Sequence, residues 1–153
     1  MGEKGERYTM ADIKYSLKAK SETPARLVAD TGEFKITIDE PADLGGTNQG
    51  PNPVQYVLAA LCGCLNVVGH MIANEMGFEL RGLEFEIEGD LNPAKLYGKR
   101  SGNRAGYEEI RVDIIPDADV DEAILDKWLE SVEQRCPVSD NLSNPTPVKL
   151  SIK

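Results

Sequence analysis

The amino-acid sequence predicts antiparallel strands carrying two helices, in one domain that pairs with a second copy of itself. Three features lead there: short runs alternating apolar and polar residues, one amphipathic helical stretch, and one helical stretch apolar on nearly every side. At 153 residues the chain suits a single domain, 1–153, with little interior to spare around a fully enclosed element.

Residues 9–19 (TMADIKYSLKA) and 33–39 (EFKITID) alternate as half-buried antiparallel strands do, with RLVAD at 26–30 between them. Two further alternating runs, 83–91 (LEFEIEGDL) and 107–116 (YEEIRVDIIP), flank a stretch of Gly, Lys, Arg and Asn that reads as a solvated hairpin tip. Its Lys95, Lys99, Arg100 and Arg104 suit the steering of an anionic reductant. A last run, PVKLSIK, is expected to close the chain as a strand.

The helix expected at 119–134 puts Ile124, Leu125, Trp128, Leu129 and Val132 on one stripe, with Trp128 as its core anchor. The other opens at Asn52-Pro53 and ends at Gly77, residues suited to the first turn and to the left-handed position after the last. Its roughly 24 residues would span about 36 Å.

A helix apolar all round must be enclosed by lipid or by protein. Lipid is disfavoured, because Gln55, Asn66, His70 and Asn74 interrupt the run and the nearest basic residues are as far away as Lys35 and Arg81. In protein, one sheet and one helix cover about half the circumference of such an element, so the remainder requires a second copy of the chain. Burial alone therefore predicts a homodimer with the long helices at its centre.

Acidic residues outnumber basic ones by 26 to 17, the wrong balance for a nucleic-acid or anionic membrane partner. The start, MGEKGERYTM, shows no secretory h-region, and Glu6 stands where a myristoylation pattern wants Ser or Thr, so a reducing cytoplasm is expected. Three cysteines, Cys62, Cys64 and Cys136, with His70 as the lone histidine, do not make a disulfide scaffold or a zinc site, and no cofactor is expected.

Cys62 and Cys64 fall on nearly opposite faces of the long helix and cannot pair with each other. Cys64 shares its face with Ala60, Leu61, Val67, Val68 and Met71, an apolar setting in which a thiol is inert without a cation nearby. Cys136, followed by Pro137 and preceded by Arg135, reads as a helix N-cap whose surroundings favour a thiolate. His70 lies off the Cys64 face and reads as a hydrogen-bonded core histidine rather than a general base.

The run DEPADLGGTNQGPNPVQYVLAALCGCLNVVGHMIANEMG, followed by RCPVSDNL, resembles the two signature segments of the OsmC/Ohr family, in a divergent OsmC-like branch. The resemblance implies an α+β fold of antiparallel sheets with a long buried central helix, in an intertwined homodimer. It implies a thiol-dependent peroxidase for organic hydroperoxides, with Cys64 as the attacking cysteine, Cys136 as the resolving one, and a lipoyl or other small dithiol as reductant. Cys62 takes no role.

The same resemblance expects an Arg held against the attacking sulfur and fixed by a Glu shortly after the Asn-Pro. Here the Glu position holds Val54, so that anion is expected to be missing, and Arg26 is the nearest candidate for the Arg. The rival reading is a non-enzymatic dimer that binds a hydrophobic ligand or senses oxidants.

Overall fold

A computed structural model describes residues 10–153. The start of the chain, from which the absence of a leader and of a myristoylation pattern is read, and Thr9 at the head of the first alternating run, lie outside the described residues. The fold is α+β, with antiparallel sheets and one long helix. Two compact units divide it, one up to Pro53 and one from Val54 onward.

The amino-terminal unit contains β1 (Lys18–Ser21), β2 (Leu27–Asp30) and β3 (Lys35–Ile38), an antiparallel meander in that order. Of the strand expected at 9–19 only Lys18 and Ala19 fall in β1, which runs on to Ser21, and residues 10–17 form no strand; β2, the partner of β1, offers four residues, pairing Lys18 with Asp30 and Ser21 with Leu27. A strand extends only as far as its ladder. After β3 the chain makes a single 3-10 turn (Ala42–Leu44) and folds tightly back: Gly45 is left-handed at φ 84°, and Gly46 has no room for a Cβ, which would fall 1.8 Å from the Glu40 carbonyl oxygen.

The second unit begins with α1 (Pro53–Met76), bounded where Pro53 and Gly77 predict. Gly77 takes φ 78° and donates to the Asn74 carbonyl while Phe78 donates to Ala73, the paired bonds of a Schellman ending. β4 (Gly82–Leu91) and β5 (Tyr107–Asp117) form a long ribbon in which Glu84, Glu86 and Glu88 point outward and Phe85, Ile87, Val112 and Ile114 inward. The hairpin tip between them is mostly exposed.

α2 (Glu122–Arg135) starts later than the expected 119, since Asp121 takes the N-cap, and α3 (Pro137–Ser143) follows it directly. One core joins these elements: Leu61, Leu65, Val68, Ile72 and Ala73 of α1 meet Trp128, Val132 and Cys136, with Phe85, Ile87, Val112 and Ile114 packed against them. Trp128 is 2% exposed, as its anchor role requires.

The closing run PVKLSIK forms no strand; Val148, Leu150 and Ile152 stand exposed. Alternation selects which side chains share a face, but the strand itself needs a neighbour, and none of the described strands pairs with this run. Among the described residues α1 is the helix long and apolar enough to cross a membrane. One side of it is sealed in the core of this chain, while Ala59, Ala60, Gly63, Val67 and Met71 on another are exposed.

Candidate functional site

Cys136 occupies the junction of two helices. Its N–H closes α2 on the Val132 carbonyl at 3.0 Å, and its carbonyl accepts the first bond of α3 from Asp140 at 2.9 Å. Pro137, which has no N–H to lose, fits the first position of α3, and the Cys136 sulfur accepts the Ser139 N–H at 3.4 Å. The N-cap expected from the sequence is therefore present.

The thiolate expected with it is not. Cys136 is 0% exposed, and burial pushes its thiol above the ordinary value. The Cys64 sulfur raises it further, through hydrogen bonding and through charge, and the N–H groups of Ser139 and Val138 oppose this only in part. The two cysteines lie together: Cys64, half-buried, packs onto the cluster that contains Cys136. All three cysteines are free thiols.

Cys64 sits at the edge of the buried face of α1. Leu61 and Val68 on its face point into the core, whereas Ala60, Val67 and Met71 are exposed. Cys62 is half-buried elsewhere on the helix, and burial raises its thiol too. His70 donates from Nδ1 to the Asn66 carbonyl at 2.9 Å, the hydrogen bond expected of it, but it is half-buried and lies outside the core cluster that the sequence predicts for it. Among the described residues no group of three or more His, Cys, Asp or Glu is placed to hold a metal.

A cavity of about 610 Å³ is lined by Val57, Leu61, Leu65, Ile110, Val112 and Leu129 together with the charged Arg104, Glu108, Glu109 and Glu133, and neither cysteine forms part of its wall. Leu65 adjoins Cys64 in sequence, and Ser139, whose N–H bonds the Cys136 sulfur, forms another part of the wall. Val54, in place of the expected Glu, also lines it, and its carbonyl accepts the Tyr107 hydroxyl at 2.9 Å.

Arg26 lies in the amino-terminal unit, at the turn before β2, and it does have an anion. Its Nε donates to Glu22 Oε2 at 2.9 Å, which corrects the expectation drawn from Val54 that no carboxylate would hold it. Its Nη1 donates to Thr47 Oγ1 at 3.2 Å. Thr47 in turn donates through its hydroxyl to Asp39 Oδ2 at 2.7 Å, and Asp39 is 0% exposed.

Sequence reasoning named neither Glu22, Thr47 nor Asp39. The signal was an Asp eight positions before a Thr across a Gly-Gly loop, which has meaning only once the loop closes.

A family model described as OsmC-like protein matches residues 46–151. The chain belongs to the OsmC-like family. No curated protein matches it in sequence. Among solved structures, an OsmC-like protein from Mycoplasma pneumoniae superposes with a TM-score of 0.75 at 20% identity, covering 87% of this chain and 89% of that one.

An organic hydroperoxide resistance protein OsmC from Legionella pneumophila gives 0.61 at 18% identity over 86% and 91%. An organic hydroperoxide resistance protein from Vibrio cholerae, with captopril bound in one of its active sites, gives 0.62 at 16% identity over 89% and 90%. At these identities the likeness shows that the chain has the OsmC-like fold.

Proposed function

We propose that this OsmC-like protein is a cytoplasmic thiol-dependent peroxidase that reduces organic hydroperoxides to alcohols through Cys64 and Cys136. The observation that carries the reading is the contact of a half-buried Cys64 with a wholly buried Cys136. Family membership and the likeness to organic hydroperoxide resistance proteins support a peroxide-related redox role.

In the proposed reaction the Cys64 thiolate attacks the terminal oxygen of R–O–OH. The O–O bond breaks, an S–O bond forms, and the leaving alkoxide takes a proton to become the alcohol, with Cys64 left as a sulfenic acid. The Cys136 sulfur then displaces hydroxide from that sulfenic sulfur, forming a Cys64–Cys136 disulfide and, with the Cys136 proton, water. An external dithiol, lipoyl or another small one, is oxidised in two exchange steps and returns both thiols.

The raised Cys136 thiol suits the second position in this order, since a protonated sulfur leaves the first attack to its neighbour. The apolar residues of the cavity wall, Val57, Leu61, Leu65 and Leu129 among them, reward an alkyl group more than they reward hydrogen peroxide. The working unit is a homodimer, because the exposed apolar side of α1 needs cover and its small residues at 59, 60 and 63 permit close approach of a second helix.

The test is one equivalent of cumene hydroperoxide added to reduced protein, with disulfides mapped by mass spectrometry and hydrogen peroxide as control. A Cys64–Cys136 link within seconds, faster with cumene hydroperoxide, is the expected result. Thiols that persist would overturn it and leave the non-enzymatic binding reading in its place.

A further inference from the structure

The tip of the β4–β5 hairpin is basic on an acidic chain. Between Leu91 and Tyr107 lie Lys95, Lys99, Arg100 and Arg104 and no Asp or Glu, although the chain as a whole has a formal charge of -9. All four cations are exposed. Arg26, Arg81, Arg111 and Arg135 each hold a carboxylate, whereas Arg100 and Arg104 have no ion pair among the described residues. A surplus of carboxylates in the chain thus leaves the two guanidinium groups at the tip unneutralised.

Apolar groups stand among these charges. Leu96, 76% exposed, and Tyr97, 58% exposed, lie between Lys95 and Lys99. Exposed apolar side chains rimmed by polar ones mark contact surfaces, and Tyr and Arg are enriched where proteins meet.

The tip is also held in shape by its own hydrogen bonds. The Asn92 side chain accepts the Ala94 N–H at 3.0 Å, and the carbonyls of Pro93, Lys95 and Ala94 accept from Tyr97, Gly98 and Lys99 at 3.1, 3.1 and 2.8 Å. Gly98 takes φ 66°, a left-handed position that suits a residue without a Cβ. In the second limb the Ser101 hydroxyl donates to the Asn103 side chain at 2.8 Å, and the Asn103 amide group donates to Glu108. Docking here orders side chains but little backbone, which lowers its entropic cost.

The cations select an anionic partner, and their surroundings select its kind. Asp90, Glu108 and Glu109 stand where the two strands enter the tip, and Glu84, Glu86 and Glu88 continue the acidic outer face of β4. A nucleic-acid strand or a lipid surface carries negative charge over a long distance and would meet these carboxylates too. A protein segment sets a few carboxylates in one place with apolar side chains among them, which matches four cations around a Leu and a Tyr.

We propose that residues 95–104 form a docking surface for an acidic segment of another protein, which sets carboxylates against Lys95, Lys99, Arg100 and Arg104 and an apolar side chain against Leu96 and Tyr97. Arg104 and Gly106 also line the cavity, so the docked segment stands at its edge. The inference is independent of the redox reading of Cys64 and Cys136.

The test measures binding of a labelled short peptide of Glu and Asp with a Leu and a Trp at its centre to the full-length protein by fluorescence anisotropy. A peptide with Ser in place of the Leu and Trp, a short DNA duplex and phosphatidylglycerol vesicles are the comparisons. The first peptide should bind, more weakly as salt rises, and several times more tightly than the serine peptide, the duplex or the vesicles. Reversing two charges at the tip, Lys99→Glu with Arg100→Glu, should weaken it by about tenfold or more. Leu96→Ser with Tyr97→Ser should weaken it severalfold, and the same change of charge on β1, Lys18→Glu with Lys20→Glu, should not.

All six positions are exposed, so the substitutions leave the core untouched, and circular dichroism checks the fold of each variant. Four outcomes would each overturn the proposal: no binding of the first peptide, duplex or vesicles bound as tightly, equal weakening from the β1 lysines, or an affinity indifferent to Leu96 and Tyr97. The last two would reduce the tip to general charge attraction.

Discussion

The indole N–H of Trp128 donates to the carbonyl oxygen of Gly69 at 2.8 Å, in the interior where α2 crosses α1. The contact is close because residue 69 has no side chain. A Cβ there would meet Trp128 Cζ2 at 2.9 Å and Leu83 Cδ1 at 3.0 Å. Gly69 follows Cys64 on α1, and Trp128 lies on α2, which Cys136 caps, so this bond locks together the two elements that carry the cysteines.

Gly69→Ala tests the lock. Alanine in place of a mid-helix glycine gains about 1 kcal/mol of propensity, whereas overpacking a filled interior costs roughly 1–3 kcal/mol. The indole ring is held by its own hydrogen bond and cannot retreat, so the steric cost wins. The expected outcome is a net loss of up to about 2 kcal/mol in urea unfolding, from the difference of those two terms, with slower formation of the Cys64–Cys136 disulfide. An unchanged midpoint and rate would show that α2 shifts freely on α1.

Cys136 supplies a second prediction, in pH. Its folded thiol lies above the ordinary 9.0, so near that pH the unfolded chain releases a proton that the folded chain keeps. Stability from this group is complete below the unfolded value and is lost as pH rises through the folded one. Wild type should therefore lose more stability than Cys136→Ser between neutral pH and the alkaline range, measured by denaturant titration at each pH. In the same variant, a sulfenic acid formed on Cys64 has no resolving partner and should be captured by dimedone.

The ends of α1 were legible because their causes are local: Pro53 costs no useful donor in a first turn, and Gly77 accepts a left-handed φ. The ribbon of β4 and β5 was legible because each strand finds its partner across one hairpin. PVKLSIK carries an equally clean alternation and forms no strand, since pairing belongs to two segments and the sequence displays one at a time.

The same distinction divides the site. Pro137 announces the N-cap at Cys136, but the burial that keeps that thiol protonated comes from α1 and the sheet, distant in sequence. Glu22, four residues before Arg26 in a turn, and Thr47, which a closed loop ties to Asp39, became partners of one guanidinium only through backbone conformation.

Acid should act first on the loop that Asp39 anchors. Its carboxyl falls from an ordinary 3.8 to about 2, so its stabilising effect is present above the unfolded value and disappears as pH drops through the folded one. Amide hydrogen exchange at Thr47 and Gln49, whose N–H groups it accepts, should accelerate between about pH 4 and pH 2 relative to the helix amides of α1. Asp39→Asn should remove that acid dependence and lower the melting temperature at neutral pH, because a side-chain amide cannot accept from four donors as a carboxylate does.

The last prediction concerns the cavity. Leu142 lines it and is 38% exposed, so a larger side chain at this position can grow into the opening without displacing the core. Leu142→Trp should therefore leave folding unchanged while removing volume that an alkyl or aryl group would fill. Each methylene denied burial costs about 0.8 kcal/mol, or about fourfold in rate if the group is bound at the transition state. Cumene hydroperoxide should slow severalfold or more in this variant, and hydrogen peroxide, with no carbon to bury, should not slow at all. Equal slowing of both would mean that the tryptophan had disturbed the cysteines themselves, and no slowing of either would mean that the hydroperoxide approaches Cys64 by another route.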